Sequence, residues 1–271
     1  MILSTHGIII PNSAPYTYLL DLYPGADAAF SLRKLSSTYS GSAIRVRRAS
    51  DNTEQDIGFS GDFLDVASLS AFCSGTTGWV TMWYDQSSNS RVAYNFTASQ
   101  QPLIYSISSV STLNGKPSLE YLNNFAYLKT NSFTGGIVDS QFMVVRANVI
   151  NCIISDGNNT NNISIWTTNT PGDLRVFAGN IDIASGIFPL NQQHLLTAIT
   201  NGANSLIKVD NTEVTKNIGT NVRNGLTLGA HGGLQFNRLQ GFFQEYINYP
   251  MDMTSSRVAI QTQINNYYGI Y

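Results

Sequence analysis

A chain of 271 residues, 42% hydrophobic and 12% charged, can bury a sizeable core and is too uncharged to stay unfolded. Its 15 basic and 17 acidic residues give a formal net charge of -2. That balance lacks the clustered positive face that a phosphate backbone needs, and no stretch approaches the ~20 apolar residues of a membrane helix, so nucleic-acid binding and membrane insertion are both excluded.

The first element is "THGIIIPNSAP", Thr5 to Pro15, a β-branched run flanked by Gly, Pro and Asn. It reads as an extended docking arm over residues 1–15 that packs on a neighbour, with residues 16–271 forming one sandwich domain. The opening has neither the basic start nor the apolar core of a signal peptide, which points to assembly in a cytoplasm. Next, "PGADAAFSLRKLSSTY" places Ala29, Leu32 and Leu35 on one face and predicts a short helix from about Ala26. "IRVRR", Ile44 to Arg48, alternates around Val46 and predicts an exposed strand face. "FLDVASLSAFCSG" predicts a second helix, with Leu64, Ala67, Leu69 and Phe72 inward and Gly75 as its stop.

"WVTMWYD" puts Trp79, Thr81, Trp83 and Asp85 on one side and Val80, Met82 and Tyr84 on the other. Large apolar groups on both sides predict a doubly buried strand with Trp83 and Met82 in the core, and Asp85 holding the following turn through bonds to Ser87 or Ser88. The functional alternative is a shallow glycan groove, in which the Tyr84 ring stacks on a sugar and the Asp85 carboxylate accepts its hydroxyl protons. Trp166, followed by Thr and Asn before a Pro-Gly turn, is a second glycan-stacking candidate, and the alternative there is a core tryptophan.

Short apolar or alternating runs then recur at strand-length intervals: Phe142 to Ile150, Ile163 to Thr168, Leu174 to Gly179, His194 to Thr200, Ser205 to Asp210, Leu226 to Ala230 and Gly241 to Tyr249. No helical pattern lies between them, so the fold class is all-β, an antiparallel sandwich. Glu245, alone in an apolar strand, reads as a carboxylate that holds structure by hydrogen bonds. The last stretch, Met251 to Tyr271, predicts a terminal helix with Thr254 as cap, Val258, Ile260 and Ile264 inward and Gly269 as stop.

Cys73 and Cys152 are too far apart for a metal pair and read as free buried thiols. His6, His194 and His231 have no zinc-ligand spacing, and no calcium-loop motif is present, so neither a catalytic residue nor a metal or cofactor is expected from motifs.

The segment from Leu226 to Tyr271, with its "LTLGA" strand, its Gly-x-x-x-Glu strand and its closing "YYGIY", resembles the end of concanavalin A-like, laminin-G-like jelly-roll domains. "LSSTYSGSAIRVRRASDNTEQDIGF" followed by "FCSGTTGWVTMWYDQSSNS" is similar to the start of the catalytic domain of fungal B-type α-L-arabinofuranosidases, at Ser40 to Ala43, Val46 to Arg48 and Tyr84 to Ser87. That resemblance implies a disulfide from Cys73 to a cysteine where Gly78 stands, an adjacent cysteine pair and two catalytic carboxylates. Gly78 removes the disulfide, no cysteines are adjacent, and Glu120, Asp156, Asp173 and Asp210 fall in separate turns. Cleavage by the retaining route needs two carboxyl groups ~5–5.5 Å apart.

"MILSTHGII" resembles the start of virion structural proteins from tailed phages of Bacteroidetes, including the crAss-like group. That resemblance implies a non-enzymatic head or tail fibre or decoration protein in a virion, assembled in the bacterial host cytoplasm with other virion proteins. It also implies a homo-oligomer, specifically a homotrimer, and contact with a host surface glycan. The alternatives left standing are a lectin domain and an arabinofuranosidase-like glycoside hydrolase.

Overall fold

The computed structural model describes residues 17–122, 125–159, 162–232 and 237–271. The predicted docking arm and His6 lie outside the described residues. The all-β expectation holds: nineteen of the described strands belong to one hydrogen-bonded antiparallel network folded into two layers.

The strand Gly241–Tyr249 organises the first layer. Ala28–Ser31 and Leu119–Tyr121 share one of its edges and Asp139–Ala147 takes the other. His194–Thr200, Ser205–Val209 and Thr212–Lys216 continue outward from there. The second layer begins at Glu54–Ile57, passes through Ile44–Arg48 and Gly78–Tyr84 to Val92–Tyr94, and crosses Leu128–Lys129 and Thr227–Leu228. It ends with Ile153–Asp156, Ser164–Thr167, Gly172–Phe177 and Ile181–Phe188. Leu103 joins the layers by pairing with both Glu120 and Trp79.

Between the layers lies the main core, where Trp83 meets Phe30 at 5.8 Å and Phe243 edge-on at 6.3 Å. Burying an aromatic or large aliphatic side chain of this kind stabilises by about 1.5–3 kcal/mol. The outer face of the first layer is covered as well. Leu19, Leu20 and Leu35 pack there with Phe142, Val144, Ile247 and Tyr249 and with Ile260, Ile264 and Tyr268 of the terminal helix Arg257–Tyr268. Double coverage explains why "FMVV" is apolar without alternation: Met143 and Val145 face one core, Phe142 and Val144 the other.

The helix expected from Ala26 is instead the strand Ala28–Ser31, buried throughout. Its alanines divide between the two cores, and pairing from Asn248 to Glu245 outweighs a helix preference worth less than ~1 kcal/mol per residue. A one-turn helix forms upstream, at Leu19–Leu22. The second helix forms at Val66–Phe72, capped by Asp65, whose carboxylate accepts from the Ser68 N–H at 2.9 Å.

The terminal helix ends as expected, with Gly269 in the left-handed region at φ 63. Its N-cap is Ser256 rather than Thr254, and Val258 is 57% exposed. The inward positions are Ile260, Gln261, Ile264 and Tyr268, and Gln261 Nε2 donates to Thr197 Oγ1 at 2.7 Å.

In "WVTMWYD", Trp83 is core but Met82 is only half-buried. Opposite the strand Ile44–Arg48, Met82 pairs with Arg45 while Val80 pairs with Val46, which leaves Thr81 as an extra residue. This β-bulge shifts the phase of the alternation, so Val80 and Trp83 both point inward. "IRVRR" is a strand, but not an exposed one, because Ile44, Val46 and Arg47 are buried. Arg47 is held by Gln101 and Asn52, and Arg45 and Arg48 by Asp56 and Asp51.

Cys73 and Cys152 are buried and unpaired. A Cβ placed on Gly78 would lie 2.6 Å from Cys73 Sγ, so Gly78 faces Cys73 at the point where the arabinofuranosidase resemblance implies a second cysteine.

Candidate functional site

The turn Asp85–Arg91 links the Gly78–Tyr84 and Val92–Tyr94 strands of the second layer and docks on the start of Ala28–Ser31. Asp85 accepts hydrogen bonds from the Ala29 N–H at 2.7 Å, the Ser87 N–H at 2.8 Å, the Ser87 hydroxyl at 2.7 Å and the Arg91 N–H at 3.0 Å. Burial raises its pKa, and these donors oppose the shift. The carboxylate therefore holds the turn closed. Gln86 extends the anchoring by accepting from the Leu35 N–H and donating to the Ser31 and Arg33 carbonyls.

Around this turn run three depressions that share walls. The first, about 370 Å³, is lined by Asp21, Pro24 to Ala26, Ser36, Thr38, Tyr39 and Gln86 to Ser88. The second, also about 370 Å³, shares Thr38 and Tyr39 with it and adds Tyr84, Asp85, Ser90 and Arg91. The third, about 200 Å³, shares Ser90 and Arg91 and adds Tyr94, Thr130, Asn131 and Phe133. The larger two match the lower end of small-molecule sites, ~300–1,000 Å³. Their walls combine hydroxyls, amides and aromatic rings.

Two further carboxylates stand beside the first depression and are tuned in opposite directions. Asp21 accepts from the Ser37 N–H and the Ser36 hydroxyl, and those serines hold its pKa below the usual carboxylate range. Asp27, directly after the Pro24–Ala26 wall, is buried, and its pKa is raised by desolvation and by the nearby Asp139 and Asp85 charges, against Arg91. Arg91 Nη2 donates to Asp27 Oδ1 at 2.8 Å and its guanidinium lies 4.0 Å from the Phe133 ring centroid. Asp27 Oδ2 is buried without a hydrogen-bond partner.

The other candidate carboxylates are placed apart and engaged. Glu120 accepts from the Ser111 hydroxyl, Asp173 from the Gly186 N–H, and Asp210 from the Leu195 N–H while meeting His194 Nδ1 at 2.7 Å. Asp156 accepts from the Ser164 hydroxyl and from the Gly157 and Gly232 N–H groups, with His231 Nδ1 at 3.4 Å. Glu245 is fully buried against Arg33 at 2.7 Å, with the Ser31 and Tyr268 hydroxyls also donating to it.

Tyr84 is half-buried at the rim of the second depression, and its hydroxyl donates to Asp56 Oδ1 at 2.7 Å. Trp166 lies within the strand Ser164–Thr167, half-buried, with the Arg175 guanidinium 5.5 Å from its ring centroid. The residues that sequence reasoning missed are Asp21, Tyr39 and Arg91 in the groove and Asp27 buried behind it. Arg91 had a signal, since it closes the same polar turn that Asp85 opens. Asp21 and Asp27 had none, because only the strand pairing at Ala28 brings them to the turn.

A family model described as "Alpha-L-arabinofuranosidase B, catalytic" matches residues 21–106. No curated protein matches the chain. Among solved structures, an arabinofuranosidase complexed with arabinofuranosyl-α-1,2-xylobiose aligns with a TM-score of 0.71 at 19% identity, over 91% of this chain. A mutant GH54 α-L-arabinofuranosidase soaked with 4-nitrophenyl α-L-arabinofuranoside gives the same values, and one soaked with a cyclic sulfate inhibitor gives 0.69 at 17% identity. The chain spans 64% of the length of each of these proteins. These findings correct the expectation of a non-enzymatic phage virion protein. The family model that fits the N-terminal third is that of a catalytic domain, and the fold is that of arabinofuranosidases, so the virion fibre and decoration readings fall with it.

Proposed function

We propose that this chain is a glycoside hydrolase that acts on α-L-arabinofuranosyl groups bound in the groove around the Asp85–Arg91 turn. One coincidence carries the reading: the stretch matched by the catalytic family model, residues 21–106, contributes every wall of the second depression and every wall of the first except Leu20.

Glycoside hydrolysis uses one carboxyl group that protonates the leaving oxygen and a second that acts as an anion, and it separates them by environment. Asp27 fits the acid. Burial and two neighbouring carboxylates favour its protonated form, Arg91 fixes one oxygen, and the other is buried behind the Pro24–Ala26 wall without a hydrogen-bond partner. Asp21 fits the anion, held ionised by Ser36 and Ser37. Tyr84 and Tyr39 supply ring faces for the sugar, while Asp85 acts at one remove by fixing the turn that carries Arg91.

The test is nitrophenolate release from 4-nitrophenyl α-L-arabinofuranoside by the full chain. Turnover is expected, falling by about 10²-fold or more in Asp27→Asn, the range seen on losing a general acid. The rate should fall as pH rises through the raised pKa of Asp27, which must be protonated, and as pH drops through the lowered pKa of Asp21, which must be ionised. A folded chain that releases nothing, even while binding the sugar, would overturn the hydrolase reading.

A further inference from the structure

The groove continues past the residues that a single terminal sugar would occupy, and we infer that it binds an extended glycan, with a separate subsite at Tyr94, Phe96 and Asn131 for the sugar that follows. This rests on the carbohydrate reading above and adds the size of the ligand to it.

The third depression is where the inference lies. It opens from the second across the shared Ser90 and Arg91, so a chain leaving the Tyr84 wall meets it next. Two of its lining residues are aromatic, Phe133 under the Arg91 guanidinium and Tyr94, and Phe96 stacks on Tyr94 with ring centroids 5.0 Å apart and planes 23° apart. Phe96 is 64% exposed, among the most exposed large apolar side chains described. The pair presents a flat, water-facing ring, which matches the apolar face of a sugar. The polar groups suit the same ligand. The Tyr94 hydroxyl donates to Asn131 Oδ1 at 2.9 Å, leaving the Asn131 amide hydrogens and the Ser132 hydroxyl along the same wall to meet ring hydroxyls.

The chemistry is that of a neutral sugar. Arg91 is the one cation lining the second and third depressions, and its charge is directed at Asp27, so an acidic saccharide gains nothing there. A protein partner would bury the exposed ring against apolar groups alone, whereas here the Asn131 amide and the Ser132 hydroxyl stand beside the rings, as a sugar with one apolar face and a rim of hydroxyls requires.

The experiment compares binding of arabinofuranosyl-α-1,2-xylobiose and of methyl α-L-arabinofuranoside to the full chain by calorimetry, in parallel with turnover of the aryl arabinofuranoside. The trisaccharide is expected to bind roughly tenfold or more tightly than the monosaccharide, and Phe96→Ala, at an exposed position outside the catalytic groups, should erase that difference. Aryl glycoside turnover should stay unchanged in Phe96→Ala, and Asn131→Ala should reduce the same preference by a smaller factor. Equal affinities for the two ligands, or a length preference that survives both substitutions, overturns the subsite. The two proposals fail separately: trisaccharide binding that depends on Phe96 without turnover removes the hydrolase and keeps the subsite, and turnover without length preference does the reverse.

Discussion

Asp85 and Glu245 are both buried carboxylates next to the strand Ala28–Ser31, and they are satisfied in different ways. Glu245 faces a full cation, with Arg33 Nε at 2.7 Å and Nη2 at 2.8 Å, and it ties the central strand to the terminal helix through Tyr268. Asp85 is met by three backbone N–H groups and one hydroxyl, and it ties a turn to the edge of a groove. The first arrangement cements two layers of the fold. The second leaves the local cation, Arg91, free to reach Asp27, and so builds a polar surface instead of a sealed core.

Breaking the ion pair tests this contrast most severely. Glu245→Ala leaves Arg33 charged and buried, and an orphaned buried charge costs about 3–5 kcal/mol, so chemical denaturation should show a loss of that size with no selective effect on sugar binding. Asp85→Ala strands several donors at once and should cost about 2–3 kcal/mol. Unlike the Glu245 variant, it should also weaken sugar binding at temperatures where the protein is still folded, because Arg91 loses its anchor. Equal loss of binding per kcal/mol in the two variants would erase the distinction.

A smaller change acts in the opposite direction. Gly78→Cys should form a disulfide with Cys73 under oxidising conditions and stabilise by about 2 kcal/mol for so short a loop, read as a rise in Tm that reductant removes. Burial pushes the Cys73 thiol up to about 11, so formation should be slow at neutral pH and accelerate as pH rises toward that value. Failure to oxidise at all would mean that Val46 and Tyr105, which crowd the same point, block the new side chain. The smallest effect expected is from Tyr84→Phe, which removes one half-exposed hydrogen bond to Asp56 and should cost about 0.5–1 kcal/mol while keeping the ring that stacks on sugar.

Much of this fold was legible because the strand runs are bounded by turn residues. His194 to Thr200 and Gly241 to Tyr249 emerge with the predicted limits. The structural role of Glu245 was legible too, since a lone carboxylate in an apolar strand needs a partner. The Ala28–Ser31 strand was not legible, because Ala29, Leu32 and Leu35 fall three apart, a spacing that also fits one face of a helix. The bulge at Thr81 was equally hidden, and with it the outward turn of Met82, since nothing in "WVTMWYD" marks where the alternation slips.

The site divides along the same line. By itself the sequence determined that a polar turn starts at Asp85, that aromatics flank it and that most of the chain alternates into strands. These are properties of neighbours along the chain, governed by side-chain size and by short-range hydrogen bonding. Only the tertiary structure decided that Asp21 and Asp27 stand at that turn, that Arg91 reaches back to Asp27, and that Phe133 comes from a distant segment to lie beneath the guanidinium. Strand pairing across the whole chain sets those contacts, and burial then shifts the carboxylates, so the chemistry of the groove depends on distances that no local pattern encodes.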